Sequence, residues 1–182
     1  MSDEKKADYV VNADGDVRQN DRVRPLVDKI HEMDKARDLI DAAWCGARIA
    51  GLFKKHDWLD SFTLNLDACS EGDDHGGFYR SVSLHVRDPK HREGKQAPQE
   101  VLESGVFAED FAADLLEQEL QDDEHSIYAA FVDDGEYVDL SMQVHRREIS
   151  DLLGEPEVSG REAFKRLFPE YDSLITSIGD RY

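Results

Sequence analysis

The segment SFTLNLDA at residues 61–68 decides the fold class of this chain. Its even-numbered positions are apolar and its odd-numbered positions are polar, and this period of two predicts a half-buried β-strand. The segment SVSLHV at residues 81–86 repeats the pattern, again with apolar side chains at even-numbered positions. A Gly- and Asp-rich segment at residues 70–77 separates them. We therefore expect an antiparallel hairpin with a long loop.

A second hairpin is predicted around the dipeptide Asp134–Gly135, because both central positions of a type I′ turn need positive φ angles. The flanking strands are expected at Ser126–Asp133 and Glu136–Val144. If Asp133 faces Glu136, every pair on one face of the hairpin is apolar, which supports that register. Those pairs are Phe131–Val138, Ala129–Leu140 and Ile127–Met142.

A long helix is predicted before the first hairpin, from near Pro25 to about His56. Its apolar side chains recur at spacings of mostly three, four or seven residues, which is typical of one helix face. Gly46 and Gly51 would permit close packing or a bend at their positions. The apolar stripe consists of Leu26, Ile30, Met33, Ile40, Trp44 and Ala47.

Helical spacing returns between the two hairpins and after them. A helix is expected over residues 98–121, with a possible break at Ser104–Gly105, and two short helices near Arg147–Leu153 and Arg161–Phe168. The predicted order is α-ββ-α-ββ-α. We therefore predict an α+β fold with a four-stranded antiparallel sheet, formed by the two hairpins, and helices packed mainly on one face.

The chain ends are less regular than its middle. Residues 1–22 are predicted to form a mobile N-terminal arm with a short strand at Tyr9–Val11, and residues 23–182 a single α+β domain. The apolar residues of the C-terminal helices either complete the core or form a dimer contact. They are Phe164, Leu167, Phe168 and Ile175.

The net charge of the chain is −19, from 41 acidic and 22 basic residues. From Gln96 to His145 there are 14 acidic residues and no Lys or Arg, whereas residues 21–58 carry 7 acids and 8 bases. Such a protein is repelled by nucleic acid and anionic membranes and attracted to basic surfaces. Adaptation to high internal salt is the alternative, since Asp outnumbers Glu by 25 to 16. That adaptation would spread acids over every exposed face.

The sequence predicts a cytoplasmic protein that does not enter a membrane. Its longest nearly apolar stretch, Ala42–Phe53, is interrupted by Arg48 and is too short to cross a bilayer. No apolar segment follows the charged N-terminus, so we expect no signal peptide. Two cysteines, Cys45 and Cys69, are expected to be reduced thiols, with Cys45 a small core residue.

Motifs for catalysis and for metal binding are incomplete. His31–Glu32 begins like a zincin helix, but Lys35 stands where the second histidine is required. The remaining candidate for a metal-binding or catalytic cluster consists of Asp73, Asp74 and His75 in the long hairpin loop. We expect no cofactor, no metal and no catalytic residues.

A helical wheel of residues 98–121, at roughly 100° per residue, places four carboxylates along one outer edge, opposite the apolar side chains. They belong to Glu103, Asp110, Asp114 and Glu117, and a break at Gly105 would remove Glu103 from the row. Like charges one turn apart destabilise a helix, and no lysine separates them. Further predicted partner-binding residues are Asp122, Asp123, Glu124, Tyr128, Asp133, Asp134, Glu136, Tyr137 and Asp139.

These residues predict a non-enzymatic protein that imitates the phosphates of nucleic acid. It would bind a basic, nucleic-acid-binding protein surface as an inhibitor or regulator, for example in phage or mobile-element anti-defence such as anti-CRISPR activity. Two alternatives stay open: an immunity protein or antitoxin that masks a basic nuclease, and a small metal-dependent hydrolase centred on Asp73, Asp74 and His75. A third possibility is an acidic surface that serves solvation alone.

Overall fold

The computed structural model describes residues 9–11, 17–19, 23–72, 77–133 and 136–171, the first two ranges for their backbone alone. Contacts divide the chain into two compact units, Met1–Asp38 and Leu39–Tyr182. The boundary falls inside a helix that is continuous from Arg24 to Lys55. The predicted division into an arm at residues 1–22 and a domain at residues 23–182 stays a prediction.

The first unit contains a small hairpin and the beginning of the long helix. Strands β1, Tyr9–Val11, and β2, Val17–Gln19, pair in antiparallel register. Helix α1, Arg24–Lys55, follows, with Pro25 in its first turn, where a missing N–H is tolerated. The strand predicted at Tyr9–Val11 and the long helix are both confirmed.

The second unit is built on the hairpin predicted from the alternating segments. Strand β3, Leu59–Gly72, pairs with β4, Phe78–His91, so that Leu64 lies opposite Val86 and Leu66 opposite Leu84. The apolar side chains of this face are buried, and Asp67 on the opposite face is exposed. The period of two therefore predicted both the strands and their buried face correctly.

The helix predicted over residues 98–121 breaks where the sequence allowed it. A 3₁₀ turn at Gln99–Val101 leads into a tight hairpin of β5, Leu102–Glu103, and β6, Val106–Phe107. Ser104 and Gly105 connect them with φ angles of 52° and 83°, the positive values that such a turn requires. Helix α2 then begins only at Glu109 and ends at Leu120.

The second predicted hairpin is wrong. After a 3₁₀ turn at Gln121–Asp123, residues Glu124–Ala129 form helix α3, and only β7, Leu140–His145, is a strand. The apolar run around Ile127 is too short for its period to distinguish a helix from a strand. Asp134 and Gly135, on which that prediction depended, lie outside the described residues.

The main sheet of the described part has three strands in the order β4–β3–β7 rather than four. Strand β7 pairs antiparallel with β3, from Ser61 opposite His145 to Leu66 opposite Leu140. Further 3₁₀ turns at Arg146–Ile149 and Leu152–Gly154 lead to helix α4, Gly160–Leu167. The fold is α+β, as predicted.

The core of the second unit joins the apolar face of this sheet to buried side chains from all four helices. Phe164, Leu167 and Phe168 are buried in it, so α4 and the residue after it complete the core, while Ile175 lies outside the described residues. Cys45 is fully buried, as predicted, and its burial raises the pKa of the thiol. No helix in the described ranges combines the length and the apolar character needed to cross a membrane.

The apolar stripe that predicted α1 is not the face that the helix buries. Ile30, Met33 and Ile40 are exposed by 56%, 62% and 66%. The buried side chains of α1 are instead Ala42, Cys45, Ile49, Ala50, Leu52 and Phe53. The stripe therefore identified the helix correctly but not the side that packs into the core.

A buried guanidinium closes the C-terminal end of α1. Arg146 donates from Nη1 to the carbonyl oxygens of Phe53, His56 and Leu59, at 2.8, 3.3 and 3.3 Å. Its Nη2 lies 3.1 Å from Oδ1 of Asp57. A hydrogen bond from Lys95, together with the charges of Arg146 and Arg92, lowers the pKa of the Asp57 carboxyl. Arg146 thus gives a donor to the Phe53 carbonyl, one of those that the end of a helix leaves without a partner.

Two glycines let α4 approach α1 closely. A Cβ atom on Gly46 would overlap the carbonyl oxygen of Gly160, and one on Gly160 would overlap the carbonyl oxygen of Ala43. Gly51, five residues further along α1, has open space around its Cα atom. Of the two glycines singled out in the sequence, Gly46 is therefore the one that permits close packing.

We expect Arg146→Met to lower the free energy of unfolding by about 3 kcal/mol, because the Phe53 carbonyl loses its donor, at about 1–3 kcal/mol, and the hydrogen bond to Asp57 is lost as well. Arg147→Met is the matched control, since the neighbouring Arg147 is exposed and its guanidinium pairs with the exposed Glu148. It should change stability by less than about 0.5 kcal/mol. Urea denaturation measures both, and equal losses for the two variants would contradict this role of Arg146.

We expect Gly46→Ala to destabilise the protein by about 1–3 kcal/mol, because the added methyl group forces the backbones of α1 and α4 apart. Gly51→Ala should instead stabilise it by about 0.5–1 kcal/mol, since alanine is the better helix former and nothing obstructs it. Thermal unfolding of the two variants should give midpoints on opposite sides of the wild-type value. A stabilising Gly46→Ala would show that the close approach is absent in solution.

Candidate partner-binding surface

Helix α2 buries one face and presents carboxylates on the other. Ala112, Leu116 and Leu120 are buried in the core. Glu109 and Asp110 occupy the first turn, where negative charge interacts favourably with the helix dipole. Because Ala112, Leu116 and Leu120 face the core, Asp110 is oriented outward, as the helical wheel predicted.

Asp110 and Asp114 form the exposed centre of this surface. Both are exposed and lie one turn apart, which places their Cα atoms about 6 Å apart along the axis. Phe111, between them in sequence, is an exposed aromatic side chain. Within the described ranges, no Lys or Arg lies within ion-pair distance of either carboxylate. We call Asp110, Phe111 and Asp114 the outer face of α2.

Glu117 and Glu103 do not belong to this face, contrary to the predicted row. The Glu117 carboxylate accepts a hydrogen bond from the backbone N–H of Val86 at 2.7 Å, and His85 Nδ1 lies 3.7 Å away. Because β4 is an edge strand, Glu117 satisfies a donor that the sheet leaves without a partner. Glu103 is exposed but lies in β5, because the chain is extended there.

The acids that flank the outer face are mostly paired with bases from other elements. Lys90 of β4 lies 2.7 Å from Glu109, and Lys55 of α1 lies 2.8 Å from Glu119. Arg48 pairs with the predicted Asp123 at 2.6 Å. Of the other two predicted residues in this turn, Asp122 is exposed and Glu124 is half-buried. Because Asp123 pairs with Arg48, its carboxylate is not available to a partner protein.

Tyr128 was predicted on an outer face and is fully buried. It lies in α3, and its hydroxyl donates to the carbonyl of Val138 at 3.0 Å and accepts from the N–H of Val138 at 2.8 Å. The Arg80 guanidinium lies 5.0 Å from the centre of its ring. Tyr128 therefore holds the segment after α3 in place and does not meet a partner.

The predicted residues that remain among those the structure describes lie beside the far end of the first hairpin. Arg80 of β4 donates to the carbonyl oxygens of Asp133 and Glu136, at 3.2 and 3.3 Å. The Asp139 carboxylate accepts from the N–H of Ala68 at 3.3 Å. The side chains of Asp133, Glu136, Tyr137 and Asp139 are exposed, and Asp134 lies outside the described residues. The structure therefore divides the predicted site between α2 and this hairpin end.

An open cleft of about 780 Å³ contains a histidine that the sequence did not single out. His56 and Trp58 are among its lining residues. The indole N–H of Trp58 can only donate, so His56 Nδ1 accepts it at 3.2 Å and the ring proton lies on Nε2. That nitrogen lies 2.9 Å from Glu119 Oε1. Both ring nitrogens of His56 are therefore engaged by side chains of the fold.

Burial opposes ionisation of Glu119, but hydrogen bonds from Lys55 and His56 outweigh it and lower the pKa of its carboxyl.

The described residues contain no metal-binding cluster. Among residues 23–72, 77–133 and 136–171, no group of three or more His, Cys, Asp and Glu side chains could hold a metal ion. Asp73, Asp74 and His75 lie outside the described residues, so the cluster predicted there stays a prediction.

No model of a known protein family matches the chain, and comparisons with curated proteins and with solved structures find no significant match.

We expect Glu117→Ala to lower the free energy of unfolding by about 1–2 kcal/mol, because the N–H of Val86 loses its acceptor. Asp114→Ala removes the same charge from the same helix, but should leave stability unchanged or raise it by about 0.2–0.5 kcal/mol through relief of repulsion with Asp110. Denaturant titration of both variants tests this. If Asp114→Ala were the more damaging change, the division between structural and exposed carboxylates would be wrong.

Proposed function

We propose that the protein is a non-enzymatic binding protein whose outer face of α2 occupies the basic surface of a nucleic-acid-binding protein. The observation that carries the proposal is which acidic side chains in and beside α2 are paired with bases and which are not. Glu109, Glu119 and Asp123 are neutralised by bases from other elements, whereas no Lys or Arg of the described residues pairs with Asp110 or Asp114. Basic side chains thus neutralise the acids at both ends of α2, and the negative charge of Asp110 and Asp114 remains.

A basic partner would complete the interactions that this face lacks. Lys and Arg side chains that bind phosphates also bind carboxylates, because both are anions with hydrogen-bond acceptor oxygens. The net charge of −19 would attract such a partner from a distance and raise the association rate. Since these charges are exposed, salt should weaken the complex steeply. Binding would inhibit or regulate the partner by excluding its nucleic acid.

Phe111 distinguishes specific docking from general attraction between opposite charges. The exposed ring of Phe111, which lies beside the two aspartates on α2, can enter an apolar pocket, and aromatic side chains contribute much of the binding energy of protein interfaces. Attraction by net charge alone would not depend on this ring. Phe111→Ser therefore tests the shape of the surface while its charge stays constant.

The test begins with affinity capture from a lysate of the source organism and identification of the captured protein. Binding of the purified pair is then measured by calorimetry at low and at high salt. We expect Asp110→Asn with Asp114→Asn to weaken binding by about tenfold or more, which corresponds to about 1.4 kcal/mol. Phe111→Ser should weaken it as well, and DNA or RNA should compete.

The matched control is Glu155→Gln with Glu157→Gln, which removes the same two charges from exposed positions before α4. If both double variants weaken binding equally, only net charge acts, and the outer face of α2 is not the site. A single captured nuclease that binds regardless of competing nucleic acid would instead favour the immunity protein or antitoxin. Capture that survives the loss of Asp110, Phe111 and Asp114 would contradict the proposal.

A further inference from the structure

The two edges of the three-stranded sheet differ in how their own residues protect them. At the β4 edge, Pro89 lacks an N–H and Asp88 has a φ angle of 48°. Glu117 occupies the N–H of Val86 on the same edge. Irregularities and charges of this kind keep an edge strand from pairing with another chain. Strand β7, at the other edge, contains no proline and no Asp, Glu, Lys or Arg from Leu140 to His145, so its own residues provide none of these protections.

The pairing of the sheet determines which backbone groups of β7 point outward. The N–H of Val86 reaches Glu117 and therefore points away from β3. Val86 lies opposite Leu64, and in antiparallel strands such a pair exchanges either both hydrogen bonds or neither. Leu64 consequently directs its N–H and C=O towards β7, where it lies opposite Met142. Because this direction alternates along a strand, the residues on either side of Met142 direct their groups away from the sheet.

The outward-pointing residues of β7 are Ser141, Gln143 and His145. Within residues 23–72, 77–133 and 136–171, their N–H groups have no acceptor on the side away from β3. The same three residues line a cleft of about 480 Å³ together with Phe168 and Tyr171, so the described part of the chain leaves space beside this edge. An exposed sheet edge with free N–H groups binds an extended strand.

We propose that the edge of β7 binds β7 of a second copy of this chain, so that the two three-stranded sheets join into one antiparallel sheet. When Gln143 faces its own counterpart, Ser141 lies opposite His145 of the second copy, and all three outward N–H groups meet acceptors within the paired strands. On the core face, this register places Met142 beside Val144 of the second copy, so apolar side chains meet each other. The arrangement has the two-fold symmetry of most homodimers.

The charges on either side of β7 favour a second copy in this arrangement. Asp139 precedes the strand and Arg147 follows it, and both side chains are exposed. Continued beyond the strand, the antiparallel register brings Asp139 of one copy towards Arg147 of the other, and the two-fold axis repeats the pair. Parallel strands would instead bring each Asp139 beside its own counterpart. The sequence around β7 is therefore complementary to itself in the antiparallel direction.

Sedimentation velocity over a range of protein concentrations tests the proposal. At high concentration the wild type should sediment with twice the mass of the chain. Added salt should strengthen this dimer, because it screens the repulsion between two chains that each carry a charge of −19. Binding of a basic partner to the outer face of α2 would respond to salt in the opposite sense, so the two proposals can fail separately.

Gln143→Pro removes the central N–H of the proposed contact. It should weaken dimerisation by about 30-fold or more, since each copy loses a donor to the other. Proline is tolerated in an edge strand where the N–H faces outward, so circular dichroism should show an intact fold. Gln143→Thr is the matched control, because it retains the N–H and should change the dissociation constant by less than about twofold.

Charges at the same position test whether Gln143 faces its own counterpart. Gln143→Lys and Gln143→Glu should each weaken the dimer by about fivefold, because like charges then lie directly opposite each other. An equimolar mixture of these two variants should form a heterodimer, since opposite charges then meet. A wild type that stays monomeric overturns the proposal, and so does a dimer that survives Gln143→Pro. Opposite effects of Gln143→Lys and Gln143→Glu would also overturn it, since net charge alone would then act.

Discussion

The packing of α1 against the sheet depends on the buried guanidinium of Arg146. A helix end leaves carbonyl oxygens without partners, and an apolar core offers them none. Arg146 reaches the carbonyl of Phe53 from 93 residues further along the chain, directly after the last strand of the sheet. The same side chain pairs with Asp57, which compensates for the burial of its charge. Because one group satisfies the helix end and follows β7, the position of α1 and that of the third strand are coupled.

The sequence predicted those elements whose side chains repeat with a clear period. Residues 61–68 and 81–86 alternate over enough positions that only a strand could bury Leu64 and Leu66 together. The break at Ser104–Gly105 was visible as a turn signal. The strand predicted around Ile127 was wrong for the opposite reason. Its few apolar residues fit either period, and the helix is determined by contacts such as that of Tyr128 with Val138, which no local pattern contains.

The acidic surface also depends on tertiary contacts that the local sequence does not contain. The wheel placed Asp110 and Asp114 correctly, since outward orientation follows from helical spacing. It could not show that Glu117 accepts the N–H of Val86, or that Arg48 reaches Asp123 from a helix 75 residues earlier. A carboxylate is available to a partner only if no cation or N–H group of the fold reaches it. That information lies in tertiary contacts, so charge counts along the chain overestimate the free surface.

The order of the strands in the sheet has a further consequence, which concerns the path of folding. Strands β3 and β4 are neighbours in sequence, so their pairing closes only a short loop, and hairpins of this kind form within microseconds. Strand β7 joins the other edge of β3 from the far side of α2 and α3, across most of the second unit. Its contacts raise the mean sequence separation of the native pairings, which slows folding. Until β7 arrives, one edge of the central strand is open to pairing with another chain. During synthesis that edge emerges from the ribosome well before the segment that covers it.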